Sequence, residues 1–376
     1  MFERWGRFVV RARAAILLAA LALVVAGLTW GMGIFGVVSG GGFYAQNNDS
    51  ARTRAQLTQL LGNQDADVIA IYSSPTLTVD DPAFAAAVTA TVARVSAGHD
   101  VSAVVDWYRT RAPQLVSHDR HATYVVVRYA HAEDDAAFRE MKADFVAPPP
   151  VTTQLGGIRA FYDETSAMTA TDIARAETLS MPILLVLLVL VFGSVVAATT
   201  PLLVGGLAVL GAFLVTRVLA EFTDVSTFAV NIITLIGLGL SIDYALFIVS
   251  RFREELAAGH DRRDAVARTM ATAGRTVAVS GVTVTLALAS LLLFPQGFLK
   301  SMGYGGMAAV VVAMVASLTV LPAGLAVLGP RINAVRIPLP HLRRAAPGEA
   351  VGERGAWAVL AHSVMRRPWV YLVGVL

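Results

Sequence analysis

The stretch GLGLSIDYALF, Gly237–Phe247, places one carboxylate in a run otherwise suited to lipid. From Val225 to Ser250 the only formally charged side chain is Asp243, with Tyr244 beside it. A helix needs roughly 17–25 mostly apolar residues to cross a bilayer. This run is long enough, so the aspartate falls inside a span.

The rest of the chain agrees with a membrane setting. Its 376 residues are 56% hydrophobic and only 15% charged, with a mean hydropathy of +0.62. That balance is too apolar for an ordinary soluble protein. Six stretches qualify as spans: Ala14–Val37, Leu179–Ala198, Pro201–Leu219, Val225–Ser250, Thr276–Phe294 and Gly303–Leu328. The first follows Arg4, Arg7, Arg11 and Arg13, but its apolar run is too long for a signal peptide and reads as an uncleaved anchor. The final PWVYLVGVL (Pro368–Leu376) is too short to cross and reads as the start of a seventh span, over residues 369–376.

Arginine placement predicts the orientation. With the N-terminus inside, Met1–Arg13, Arg251–Arg275 and Gly329–Pro368 lie in the cytoplasm and hold 17 of the 30 basic residues. The two short turns left outside hold one, Lys300. The net charge of +3 is therefore a topology signal and not a nucleic-acid footprint. The chain has no cysteine, which excludes disulfides, thiolate metal sites and a cysteine nucleophile. Without a GxxxxGK[ST] or GxSxG motif, neither P-loop ATP chemistry nor a nucleophile elbow is expected, nor any cofactor.

The long outside segment, residues 38–178, is patterned as a folded domain. Strands are predicted at Asp67–Ser74, Val101–Thr110, Ala122–His131 and Val151–Ala160, and helices at Asp81–Gly98 and Asp134–Val146. The order β-α-β-β-α-β is that of an α+β, ferredoxin-like unit. A helix from Asp163 to Ser180 is predicted to run directly into the second span. Residues 251–275 read as a pair of cytoplasmic amphipathic helices broken at Gly259 and capped by Asp261 and Asp264. Residues 329–368 read as a cytoplasmic linker rich in proline and arginine.

Asp243 lies eight residues before Arg251, about 12 Å of helix from the inner boundary. An aspartate near a span's centre costs about 2.5–3.5 kcal/mol on insertion scales, so it is expected to face protein or a hydrated cavity. A carboxyl that gains and loses its proton as water reaches it is what a proton carrier requires. At about 100° per residue, Asp243 shares a stripe with Ile236, Gly239 and Phe247, while Gly237, Ser241 and Ala245 form a small-residue stripe. Gly237, Gly239, Ser241 and Ala245 are expected to allow close helix packing around the acid. Ser280, Thr283 and Thr285 of the fifth span are candidate partners. The structural alternative makes Asp243 a polar bond between helices.

Two other groups have bland and sharp readings. His118, Asp119, Arg120, His121 and His131 do not fit a metal-ligand spacing and read as a solvated loop; no metal is expected. Phe294, Phe298 and Tyr304 fit an interfacial aromatic belt, or alternatively a lipid entrance at the outer leaflet.

The run TLIGLGLSIDYALFIVSRFREEL (Thr234–Leu256) resembles the MMPL family of large mycobacterial membrane proteins, within the RND transporter superfamily. Trp5–Arg7, Ser39–Asp49, Phe222–Thr223, Gly274–Val277 and Phe294–Ser301 carry the same resemblance. It covers the whole chain but only the first half of a typical member. The resemblance implies proton-driven export of lipid or lipid-like molecules to the actinobacterial envelope, from the inner membrane. Asp243 and Tyr244 match the first of two Asp-Tyr pairs in the family's proton relay. The outer domain matches one of two porter domains, and spans two to six a sterol-sensing-domain-like bundle. The resemblance also implies a C-terminal half, covalent or separate, bearing the second pair. The competing expectation is a non-transporting lipid-binding or regulatory membrane module.

Overall fold

The computed structural model describes residues 1–38, 40–42, 49–130, 135–335 and 356–375. Among them, six helices are long and apolar enough to cross a membrane: Arg13–Gly36, Ile158–Phe192, Val195–Leu219, Thr227–Ala257, Arg262–Leu293 and Gly297–Asn333. The third, fourth and sixth are half buried or nearly so over their apolar windows, whereas the first, second and fifth bury about a tenth. The bundle therefore has an inner layer of spans three, four and six, with the others packed around it. Two core clusters, around Tyr244–Phe252 and around Ala229–Ile233, run through this inner layer.

Four strands, β1 (Val68–Ser73), β2 (Val101–Val105), β3 (Ala122–Tyr129) and β4 (Thr152–Gly156), form one antiparallel sheet in the order β2-β3-β1-β4. β3 alternates buried and half-buried residues along its length, as a strand with one covered face must. The helix Pro82–Ser96 supplies that cover through Phe84, Val88, Val92 and Val95, spaced to share one face. Phe138 and Phe145 close the same core.

The predicted second strand stops early. Asp106 breaks it, because its Oδ1 accepts from the Arg109 backbone N–H at 3.0 Å and caps the short helix Trp107–Thr110. A helix at Asp49–Leu61, not foreseen from the sequence, precedes the sheet. Half of the predicted linker at 329–368 lies outside the described residues, and the rest includes a 3-10 turn at Gly329–Asn333 and a helix at Ala356–Arg366. Most of the Ser39–Asp49 stretch also lies outside the described residues. Pro368–Val375 is a short helix.

The helix entering the second span begins at Ile158, five residues before the predicted start, and runs unbroken to Phe192. Gly157 makes this start possible. It sits at φ +90°, and a Cβ there would lie 2.7 Å from the Asp67 carbonyl oxygen. In the next turn Arg159 is buried, with Nε 3.5 Å from Asp67 Oδ1 and its guanidinium 4.4 Å from the centre of the Tyr129 ring. The same carboxylate accepts from the Tyr129 backbone N–H at 2.8 Å and from Asn63 Nδ2 at 2.7 Å. The membrane helix is thereby fastened to β1 and β3.

The predicted pair of surface helices at 251–275 is instead two span extensions. Span four continues to Ala257, the chain reverses at Gly259, and Asp261 caps the helix that leads through a π turn at Met270–Gly274 into span five. The reason is burial: Ala265, Val266 and Met270 pack into the bundle core. The N-terminal helix Phe2–Arg11 completes this end, with Gly6 lying against Ala267 and Met270.

The sheet domain also makes a pH prediction. Burial pushes the Tyr129 and Tyr108 phenols up to about 12 and raises that of Tyr72. Unfolded tyrosine ionises near 10. Raised folded values favour the neutral form, so this stabilisation is complete below about pH 10 and is lost as pH rises towards 12. Near-ultraviolet phenolate absorbance should show these three groups ionising together with loss of the domain's melting transition.

Candidate functional site

Span four holds the candidate acid and phenol, and its two faces differ. Gly237, Ser241 and Ala245 are buried. Ser241 Oγ donates to the Gly237 carbonyl at 2.5 Å, and a Cβ on Gly237 would meet Ala309 of span six at 3.2 Å. The small stripe is where spans four and six approach.

Asp243 is on the opposite face. It is exposed, in line with exposed Leu235, Gly239 and Phe247. Ile236, expected on the stripe, is half-buried, because the i, i+4 row selects Leu235 instead. Gly239 does not pack either: nothing lies within 4 Å of where its Cβ would be. Of the two surroundings expected for Asp243, protein or a hydrated cavity, packed protein is not what it meets within this chain. Among the described residues no hydrogen bond or ion pair reaches its carboxylate.

Thr283 and Thr285, offered as partners, donate to the Val279 and Gly281 carbonyls of their own helix at 2.9 and 2.7 Å. Tyr244 turns inward. It is 4% exposed, and its hydroxyl is buried without a hydrogen-bond partner among the described residues. Such a group costs about 1–3 kcal/mol. The neighbouring acid and phenol therefore address different sides of the helix.

Nearer the sheet domain, span four contributes Thr227, Val230, Asn231 and Thr234 to a cavity of about 420 Å³. Its remaining walls are mainly apolar, from Met32 and Phe35 at the end of span one and Val209 and Phe213 of span three. Arg139, Asp163 and Glu177 add charge at the side formed by the sheet domain and the second-span helix. Asn231 Oδ1 is buried and has no hydrogen-bond partner among the described residues. The size and lining suit an amphiphile, since ligand cavities run about 300–1,000 Å³ and combine apolar walls with a few polar groups.

The aromatic residues suggested as an entrance do not line this cavity. Phe294 is exposed, Tyr304 is half-buried, and Phe298 packs edge-on to Phe228 with ring centres 5.9 Å apart. The cavity was not legible from sequence because its walls come from five separate segments. The only available signal was polarity: Thr227, Asn231 and Thr234 interrupt an otherwise apolar half-span.

In the outer loop Arg120 donates from Nε and Nη2 to the two Asp80 carboxylate oxygens, and a His121 ring nitrogen lies 2.9 Å from the Leu77 carbonyl oxygen. His131 lies outside the described residues.

The model of the MMPL family matches residues 42–371. The chain is similar to the trehalose monomycolate exporter MmpL3 of Mycobacterium tuberculosis H37Rv, 36% identical over 99% of this chain and 42% of that protein. It is 33% identical to the mycolic acid-containing lipids exporter MmpL11 of Mycolicibacterium smegmatis, over 96% of this chain and 38% of that protein. A putative membrane protein of Streptomyces coelicolor is 42% identical over 68% of this chain and 37% of its own length. The chain thus spans about two fifths of the length of these relatives.

Proposed function

The chain belongs to the MMPL family, and from that premise we propose that it forms the N-terminal half of a proton-driven exporter of lipid or lipid-like molecules. Asp243 and Tyr244 act as its share of the proton relay. The observation that carries this reading is the placement of an exposed acid and a cavity wall on one helix. Asp243 lies twelve residues from Asn231, about 18 Å along the helix.

A carboxylate turned towards hydrocarbon costs about 2.5–3.5 kcal/mol. That cost falls when the carboxyl is protonated, or when a polar partner covers the row Leu235, Gly239, Asp243 and Phe247. Proton gain and loss therefore change which surroundings span four prefers. Because the helix is rigid and continuous, its shift reaches Thr227, Asn231 and Thr234 in the cavity. The exposed row is the face for the second half, and Tyr244 is the adjacent phenol through which a reorganised interface passes the proton. A membrane potential supplies about 2.3 kcal/mol per charge per 100 mV for the cycle.

The cavity accepts an acyl chain against Phe35, Val209 and Phe213, and a polar head towards Asn231 and the charged side. The relatives' names, exporters of trehalose monomycolate and of mycolic acid-containing lipids, support a lipid substrate. The arginine distribution supports an N-terminus in the cytoplasm of an inner-membrane protein, with the sheet domain outside. The strand order β2-β3-β1-β4 supports the ferredoxin-like, porter-type reading of that domain.

Proteoliposomes containing this chain together with its completing half test the reading. An imposed pH gradient is expected to drive proton flux that Tyr244→Phe reduces. Equal flux in protein-free vesicles and in wild-type vesicles would overturn the proposal.

A further inference from the structure

At the arginine-rich end of the bundle, away from the sheet domain, lies a second cavity of about 510 Å³. Arg13 begins span one, Arg262 and Arg263 begin the span-five helix, and all three line it. None has an ion pair among the described residues. Asp261 also lines the cavity, but its Oδ1 is engaged by the Asp264 backbone N–H at 2.8 Å. The formal balance is three cations to one anion. The arm of Arg262 lies directly over Gly329, where a side chain would collide with it.

The remaining walls are apolar: Val10, almost fully buried, with Ala326 and Val327. Val327 is half exposed, and below Arg13 the first span turns Leu18 and Leu21 outwards. A guanidinium-lined cavity therefore opens beside a surface made for acyl chains. Guanidinium groups bind phosphate oxygens in paired, planar geometry, and basic pockets between membrane helices hold anionic headgroups.

We propose that this cavity binds the phosphate headgroup of an anionic phospholipid, with Arg13, Arg262 and Arg263 on the phosphate and Val327 beside the acyl chains. The bound lipid ties the starts of spans one and five to the end of span six. This site is separate from Asp243 and the substrate cavity, so it stands or falls independently of transport.

The full chain in neutral detergent, titrated with phosphatidylglycerol or phosphatidylcholine and read by native mass spectrometry, tests it. Wild type is expected to retain phosphatidylglycerol preferentially. The triple variant Arg13→Gln/Arg262→Gln/Arg263→Gln is expected to lose roughly a hundredfold in affinity, at about fivefold per arginine. Arg268→Gln, at an exposed helical position outside the cavity, leaves retention unchanged. If the triple variant does not fold, Arg263→Gln alone should lose about fivefold. Undiminished retention by either variant overturns the proposal. So does equal binding of phosphatidylcholine, or displacement of the lipid by equimolar inorganic phosphate, which would mark a site for soluble anions.

Discussion

The Asp243→Asn variant is expected to insert and fold like wild type and to reduce lipid export to background. The carboxylate is exposed and makes no hydrogen bond or ion pair among the described residues. Removing it therefore breaks nothing inside this bundle, and the change in stability should stay within about 0.5 kcal/mol. Insertion should be eased, because a charge at mid-span is replaced by a neutral amide. Function is affected differently: an amide cannot gain and lose a proton over the range in which the carboxyl does.

The measurement is lipid export in cells at matched expression, with thermal melting of the purified protein alongside. The competing regulatory-module reading, with Asp243 as an interhelical hydrogen bond, predicts the reverse pattern. It requires intact lipid handling and a loss of roughly 0.6 kcal/mol, the average for such bonds in membranes. Export at wild-type level would remove the proton relay from this residue.

Arg159→Met carries the largest expected loss of stability. Arg159 is only 2% exposed, and its guanidinium is held by Asp67 and the Tyr129 ring. Deleting one partner of a buried ion pair leaves the other uncompensated and costs about 3–5 kcal/mol. Asp67 keeps its bonds from Tyr129 and Asn63, so the lower end of that range applies.

The change should appear as faster amide exchange in β1, β3 and the first turns of the Ile158–Phe192 helix, with the membrane core unaffected. Arg159→Met/Asp67→Leu, which removes both charges, should recover much of the loss. A single-variant loss below about 1 kcal/mol would show that the pair does not fasten the sheet domain to span two.

Some of this protein was legible from sequence because local patterns are sufficient for it. Six apolar runs became six span-length helices, since backbone groups in lipid must bond within their own helix. The buried alternation of β3 and the i, i+4 spacing of Phe84, Val88 and Val92 likewise need only one strand or one helix to read. The Asp-Tyr pair identified the family by the same kind of local signal.

What tertiary structure decided is which face each helix shows, because that depends on neighbours distant in sequence. Helical periodicity placed Gly237, Ser241 and Ala245 together. Contact with Ala309 then made that row the packed side and left Asp243 and Gly239 outside. Periodicity also could not foresee that five segments enclose one cavity around Asn231, or that Arg159 closes on an aspartate ninety-two positions earlier. Sequence determined where the acid lies along its span; packing alone determined that it looks away from its own bundle.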